Sequence, residues 1–172
     1  MKAAMYRTPL VSLIIALLLA CTTNQAAALD APTQTPILEI SGSITQTNQG
    51  DTAVFDRAML EAIGQATIVT RTPWIDGVST YEGVPLQALM EAVGASGDTV
   101  TAIALNDYVT TIPLSDFAEH GAILALRFNG EYMSVRDKGP LFIIYPFDSD
   151  PDLRTQTYFG RSAWQVKQLI VR

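Results

Sequence analysis

The sequence predicts a β-rich α+β fold, a compact mixed β-sheet core with a few short helices. Three observations lead there. Apolar runs rich in β-branched residues and bounded by Gly, Pro, Asn or Asp outnumber helical stretches by about three to one. Only one stretch carries a firm helical period with both start and stop signals. The 172 residues, 48% hydrophobic and 16% charged, suit a single globular domain without internal repeats and exclude a largely disordered chain.

The elements follow in order. Ile37 to Ile44 (ILEISGSI) is β-like, and Thr45 to Thr52 is a polar loop containing Gly50. Asp56 can cap a short helix that places Met59, Leu60 and Ile63 on one face and stops at Gly64. Ala66 to Thr70 reads as a strand, Pro73-Trp74 as a turn, and Val78 to Tyr81 as the next strand. Pro85 suits a first helical position, with Leu86, Leu89, Met90 and Val93 at helical spacing and Gly94 just beyond. Thr99 to Leu105 and Val109 to Leu114 are expected to pair around Asn106-Asp107-Tyr108, and Ser115 to cap a brief turn through His120. Asn129-Gly130 between Ala122 to Phe128 and Glu131 to Val135 is a strong hairpin signal, because both turn residues tolerate positive φ. Leu141 to Tyr145 (LFIIY) has no polar face and reads as a buried strand. Phe147 to Ser162 looks irregular, and Trp164 to Val171 alternates as a closing strand.

Residues 1–28 read as an export signal. Met1 to Pro9 carries Lys2 and Arg7 without an acid, and Leu10 to Ala20 is apolar or small apart from Ser12. That run falls short of the roughly 20 residues a membrane-spanning helix needs, so no transmembrane segment is expected once the signal is removed. Two exits are readable: Ala26-Ala27-Ala28 fits an A-x-A cleavage site, and Leu18-Leu19-Ala20-Cys21 resembles a lipobox in which Cys21 would be lipidated. The expected location is the periplasm or the medium, with a lipid anchor if Cys21 is modified. Residues 29–36 (LDAPTQTP) form a linker and residues 37–172 the globular domain.

Without residues 1–28 the chain keeps nine bases against 17 acids, a charge of −8, which argues against nucleic acid as a partner. Cys21 is the sole cysteine, so the domain itself has neither disulfides nor thiolate chemistry. Phosphate loops, dinucleotide fingerprints, zinc spacings and nucleophile elbows are absent, and the single His120 leaves no material for a His-based metal site or triad. No catalytic residue can be named.

The bases, however, are unevenly spread. None lies between Arg71 and Arg127, whereas Arg127, Arg136, Lys138, Arg154, Arg161, Lys167 and Arg172 place seven of nine in the last 46 residues. Arg136-Asp137-Lys138-Gly139-Pro140 precedes the LFIIYP run, and Arg161-Ser162 precedes the closing strand. Arg136, Lys138 and Arg161 are therefore the candidate ligand-binding residues, expected to converge on one anion-accepting pocket. The alternative is structural ion pairing, Arg136 with Asp137 or Asp148 and Arg161 as a brace for the last strand. Trp74 is expected either to plug the core or to wall a pocket.

The motifs TPWIDG (72–77), YEGVPLQALMEAVGA (81–95), ALNDY (104–108), IPLSD (112–116), RDKGPLFIIYP (136–146) and RSAWQVKQLIV (161–171) occur in an order that resembles small exported bacterial proteins of the oxidoreductase molybdopterin-binding domain family, with a sulfite-oxidase-like fold. The resemblance covers Ile37 to Arg172 and implies molybdopterin as cofactor, at which catalytic members move electrons and an oxygen atom. In those members a cysteine thiolate ligates the molybdenum a few residues before the G-x-P-L helix. The matching stretch here, Thr70 to Trp74, has none, and threonine is a poor substitute for a soft thiolate. The domain is also short for a catalytic one. Two readings follow: a cofactor-free binding or sensory module for a small anion, a pterin or a periplasmic protein partner, and an active periplasmic molybdopterin-dependent oxidoreductase.

Overall fold

The computed structural model describes residues 29–172. Residues 1–28, where the export signal is expected and where Cys21 stands, lie outside the described residues. Two sheets organise the rest. The first runs in the order β2 (Ala53–Phe55), β1 (Leu38–Gly42), β10 (Val166–Val171), β5 (Thr99–Ala104), β6 (Val109–Pro113). β1 and β10 pair in parallel and the other neighbours are antiparallel, so the sheet is mixed as expected. The second joins β3 (Ala66–Thr72), β4 (Ile75–Pro85), β7 (Ile123–Phe128) and β8 (Glu131–Tyr132), and β9 (Phe142–Ile144) shares the free edge of β7 with β8.

Strand composition follows from which faces are covered. In β7, Leu124 and Leu126 enter the main core while Ile123 and Ala125 enter a second cluster with Ile68, Tyr81, Met133, Phe142 and Ile144. In and beside β9, Leu141, Ile143 and Tyr145 face one cluster, Phe142 and Ile144 the other. Covered on both sides, these strands have no place for a polar residue, hence the unbroken LFIIY run. β9 also ties the sheets together: the Ile143 N–H donates to the Ala163 carbonyl (2.9 Å), the Val166 N–H to the Leu141 carbonyl (3.0 Å), and Phe142 bridges Trp164.

Helix α1 (Arg57–Ile63) is capped by Asp56, whose carboxylate accepts from the Met59 N–H at 2.9 Å. Its other oxygen accepts from the Thr33 and Gln34 N–H groups, which fastens the 29–36 stretch to the domain. The Met59 hydrogen bond leads in holding this carboxyl below its ordinary range against the opposing effect of burial, and the Gln34 and Thr33 bonds add to it. Helix α2 (Leu86–Ala92) buries Leu86, Leu89 and Met90, and Gly94, at φ 59°, follows it.

Three expectations need correction. Pro85 stands one position before α2, because β4 continues to a Pro85–Ile123 pairing and the proline's extended backbone serves the strand. Ser115 lies inside α3 (Ser115–His120) after a helical Leu114, so its side chain caps nothing. β2, in residues to which the sequence assigns no element, follows the 45–52 loop because Leu38, Glu39 and Ile40 offer it a partner. The segment read as irregular contains α4 (Gln156–Arg161), where Tyr158 and Phe159 pack half-buried against the main core.

Candidate functional site

The loop from β8 to β9 is built to hold cations at its rim. Met133 is buried and anchors its start; a 3-10 turn, Val135–Asp137, follows. The Ser134 carbonyl accepts from the Gly139 N–H at 2.8 Å, and a Cβ on Gly139 would collide with the Met133 backbone. Gln165 fastens the loop from outside, donating its backbone N–H to the Lys138 carbonyl (3.0 Å) and its amide to the Val135 carbonyl (2.7 Å). Lys138 adopts φ 71° and sets its ammonium 4.3 Å from the Trp164 ring centroid, a cation–π contact. Asp137 accepts from the Ser134 hydroxyl at 2.7 Å, so it is not the partner of Arg136. Arg136 is exposed and enters no ion pair among the described residues.

Below this loop lies a hollow of about 390 Å³ over the outer face of the second sheet. Arg136, Asp137 and Lys138 edge it, and Tyr81, Phe128 and Phe142 form much of its apolar wall. The Tyr81 ring stands 5.4 Å from Phe128, tilted, and 5.9 Å from Phe142, edge-on. Such a site offers an apolar hollow with two cations and one carboxylate at its mouth.

Arg161 does not join them. It donates to Asp116 at 2.8 Å, with only 22% of its side chain exposed against 6% for Asp116. The Tyr145 hydroxyl donates to the same carboxylate oxygen at 2.8 Å, and the Tyr158 hydroxyl lies 3.0 Å from His120 Nε2. Burial, followed by the Asp116 charge, pushes the Tyr145 phenol well above its ordinary range. The three cations expected at one pocket thus divide two and one: the buried Asp116 needs a positive partner, and Arg161, at the end of α4, supplies it. Asp148 likewise belongs elsewhere, accepting from the Arg71 N–H (3.1 Å), the Arg71 guanidinium and Arg154. Burial works against its ionisation, but hydrogen bonding from Arg154 and then Arg71 holds its carboxyl below the usual range.

Trp74 fills both roles open to it. It packs edge-on against Phe147, Phe159 and Trp164 at 5.6 to 6.2 Å, and it walls a second hollow of about 240 Å³ with Tyr108, Phe159 and Trp164. Another cluster went unread in the sequence: the Tyr132 ring lies between the guanidinium groups of Arg57 and Arg127 at 4.2 and 4.3 Å, and its hydroxyl donates to Glu61 at 2.6 Å. It staples the β7–β8 hairpin to α1, and residues so far apart in sequence give no local signal.

In the Thr70–Trp74 stretch both threonine hydroxyls are closed in, although Arg71 and Pro73 are exposed. Thr70 is buried, its hydroxyl accepting from the Asp148 N–H at 3.0 Å and donating to the Arg71 carbonyl at 3.3 Å. The Thr72 hydroxyl is buried without a partner.

The fold of this mixed-sheet domain is the sulfite-oxidase-like molybdopterin-binding fold. The chain belongs to the oxidoreductase molybdopterin binding domain family, whose profile matches residues 56–147. Among solved structures it is similar to the sulfane dehydrogenase SoxCD from Paracoccus pantotrophus, with 18% identity and a TM-score of 0.59. The match covers 84% of this chain and 40% of that one, so this chain spans less than half the length of that relative. No curated protein matches it.

The family's cofactor meets this site in part. Arg136 and Lys138 suit a phosphate at the mouth of the hollow. The molybdenum end does not fit: Thr70 to Trp74 presents neutral hydroxyls already used or closed in, residues 29–172 contain no cysteine, and no group of three His, Cys, Asp or Glu side chains among the described residues is arranged to hold a metal.

Proposed function

We propose that this chain is an exported binding module of its family that takes a small anionic ligand in the hollow beneath Arg136 and Lys138, without molybdenum chemistry. The observation that carries this is Arg136: an exposed guanidinium with no ion pair among the described residues, beside Lys138 at the edge of an apolar hollow of about 390 Å³. Arg127, Arg154 and Arg161, by contrast, are met by carboxylates. In a chain of net acidic charge, Arg136 and Lys138 together outweigh Asp137 at the mouth of a concave site, which favours an anion. The missing thiolate supports the cofactor-free form, since the residues at the matching stretch offer no soft donor.

Thermal unfolding with organic phosphates and carboxylates tests it. A ligand at tenfold excess over its Kd adds about 1.4 kcal/mol, roughly 4 °C in Tm for a domain of this size. Arg136→Ala is expected to abolish that shift while the ligand-free Tm stays within about 1 °C of wild type, as for a surface change. Family membership favours the second reading, an active periplasmic molybdopterin-dependent oxidoreductase. Stoichiometric molybdenum in protein exported by a molybdate-fed host would establish it and remove the first.

A further inference from the structure

The hollow beneath Arg136 and Lys138 reads more of its ligand than the sign of a charge. Its mouth sets two cations against the Asp137 carboxylate, so it balances a single negative charge and leaves a second unmatched. Behind the mouth every lining residue is apolar or aromatic. Tyr81 and Phe142 are fully buried and back the wall, whereas Ile75 and Phe128 are only half-buried and present surface to the cavity. The Tyr81 ring packs against both phenylalanines and leaves no slot between them for a flat ring. What remains within reach is the branched Ile75 side chain and part of Phe128, with the methylene stems of Arg136 and Lys138 at the rim. The rim is also held in place. The Gly139 N–H donates to the Ser134 carbonyl, and Gln165 donates to the Lys138 and Val135 carbonyls, so the loop has little freedom left to lose when a ligand arrives.

We infer that the hollow is selective for aliphatic monocarboxylates, with the carboxylate at Arg136 and Lys138 and the alkyl chain laid along Ile75 and Phe128. This deepens the anion-binding reading above and rests on it. A carboxylate at an exposed rim gains little from its ion pairs alone, because water and salt screen them. Removing the chain from water supplies the rest. A second charge at the far end of the chain would enter an apolar hollow without a partner, and burying an unpaired charge is costly.

Calorimetric titration with the straight-chain acids from acetate to octanoate, with adipate and with hexylammonium tests the inference. Affinity is expected to rise about two- to fourfold with each methylene until the chain outgrows the hollow. Adipate, as long as hexanoate but charged at both ends, should bind at least about tenfold more weakly than hexanoate. Hexylammonium, with the same chain and the opposite charge, should not bind. Arg136→Ala should weaken every acid and leave the rise per methylene unchanged, whereas Ile75→Ser should flatten the rise and leave acetate nearly as it was. Acids that bind equally whatever their length overturn the chain selectivity but leave the anion site standing, provided that Arg136→Ala weakens them all. A rise that survives Ile75→Ser puts the chain elsewhere and overturns it too. So does adipate binding as tightly as hexanoate, a result on the unmodified protein that depends on no variant's folding. Hexylammonium binding as tightly as hexanoate would mean that the rim does not read charge, and overturns the selectivity and the anion site together. If no acid binds, the selectivity falls, and the anion site falls with it only when phosphate probes are silent as well.

Discussion

Arg161 turns its charge into the fold and Arg136 turns its charge out, although both are lone arginines just before apolar strands in the sequence. The difference lies in what waits for them. Asp116 is buried with one tyrosine hydroxyl for company, and an unpaired carboxylate there would be costly. Arg161→Ala should therefore destabilise the ligand-free protein by about 1 to 3 kcal/mol, the cost of leaving a buried charged group short of a partner. Denaturant unfolding checks this, and Arg136→Ala under the same conditions should move the midpoint little. If Arg161→Ala were silent, the Tyr145 hydroxyl alone would suffice for Asp116. The two arginines could not be told apart from sequence, because the acid that claims Arg161 lies 45 positions away.

Among the elements, those with a complete local code were legible. Helix α2 has its period, its entry proline and Gly94, and it folds where the pattern puts it, one residue later than the proline rule suggests. Leu89 is fully buried on its inner face, so Leu89→Ala should cost on the order of 2 to 5 kcal/mol in chemical denaturation. A loss under about 0.5 kcal/mol, the size of a surface change, would mean that the helix presents another face. The Asn129-Gly130 hairpin and the LFIIY strand were legible for the same reason: turn chemistry and two-sided burial both write themselves into adjacent residues. β2, of three residues, and α4, of six with Gly160 inside, are too short to show a period, and they exist because β1 and the aromatic cluster around Trp74 receive them.

At the scale of the whole molecule, no helix among the described residues is long and apolar enough to cross a membrane. Export remains an expectation from residues 1–28, whose order of basic and apolar segments is that of a signal. Fused to a reporter, those residues should carry it out of the cytoplasm, and fractionation of the cells shows whether they do. Cys21→Ser then separates the routes: unchanged processing and solubility mean simple cleavage, whereas loss of membrane association means lipidation.

The sequence by itself determined the family, the β-rich class, most strand positions and the gathering of cations in the last third, because each of these is written in local order, composition or motif. Tertiary structure alone decided how those cations are spent. Only folding brings the 134–140 loop over the face bearing Tyr81 and seats Arg161 against Asp116. Local sequence sets which backbone conformations are cheap, but a side chain's partner is chosen by distance in space. In a fold dominated by long-range strand pairing, that distance bears little relation to position along the chain.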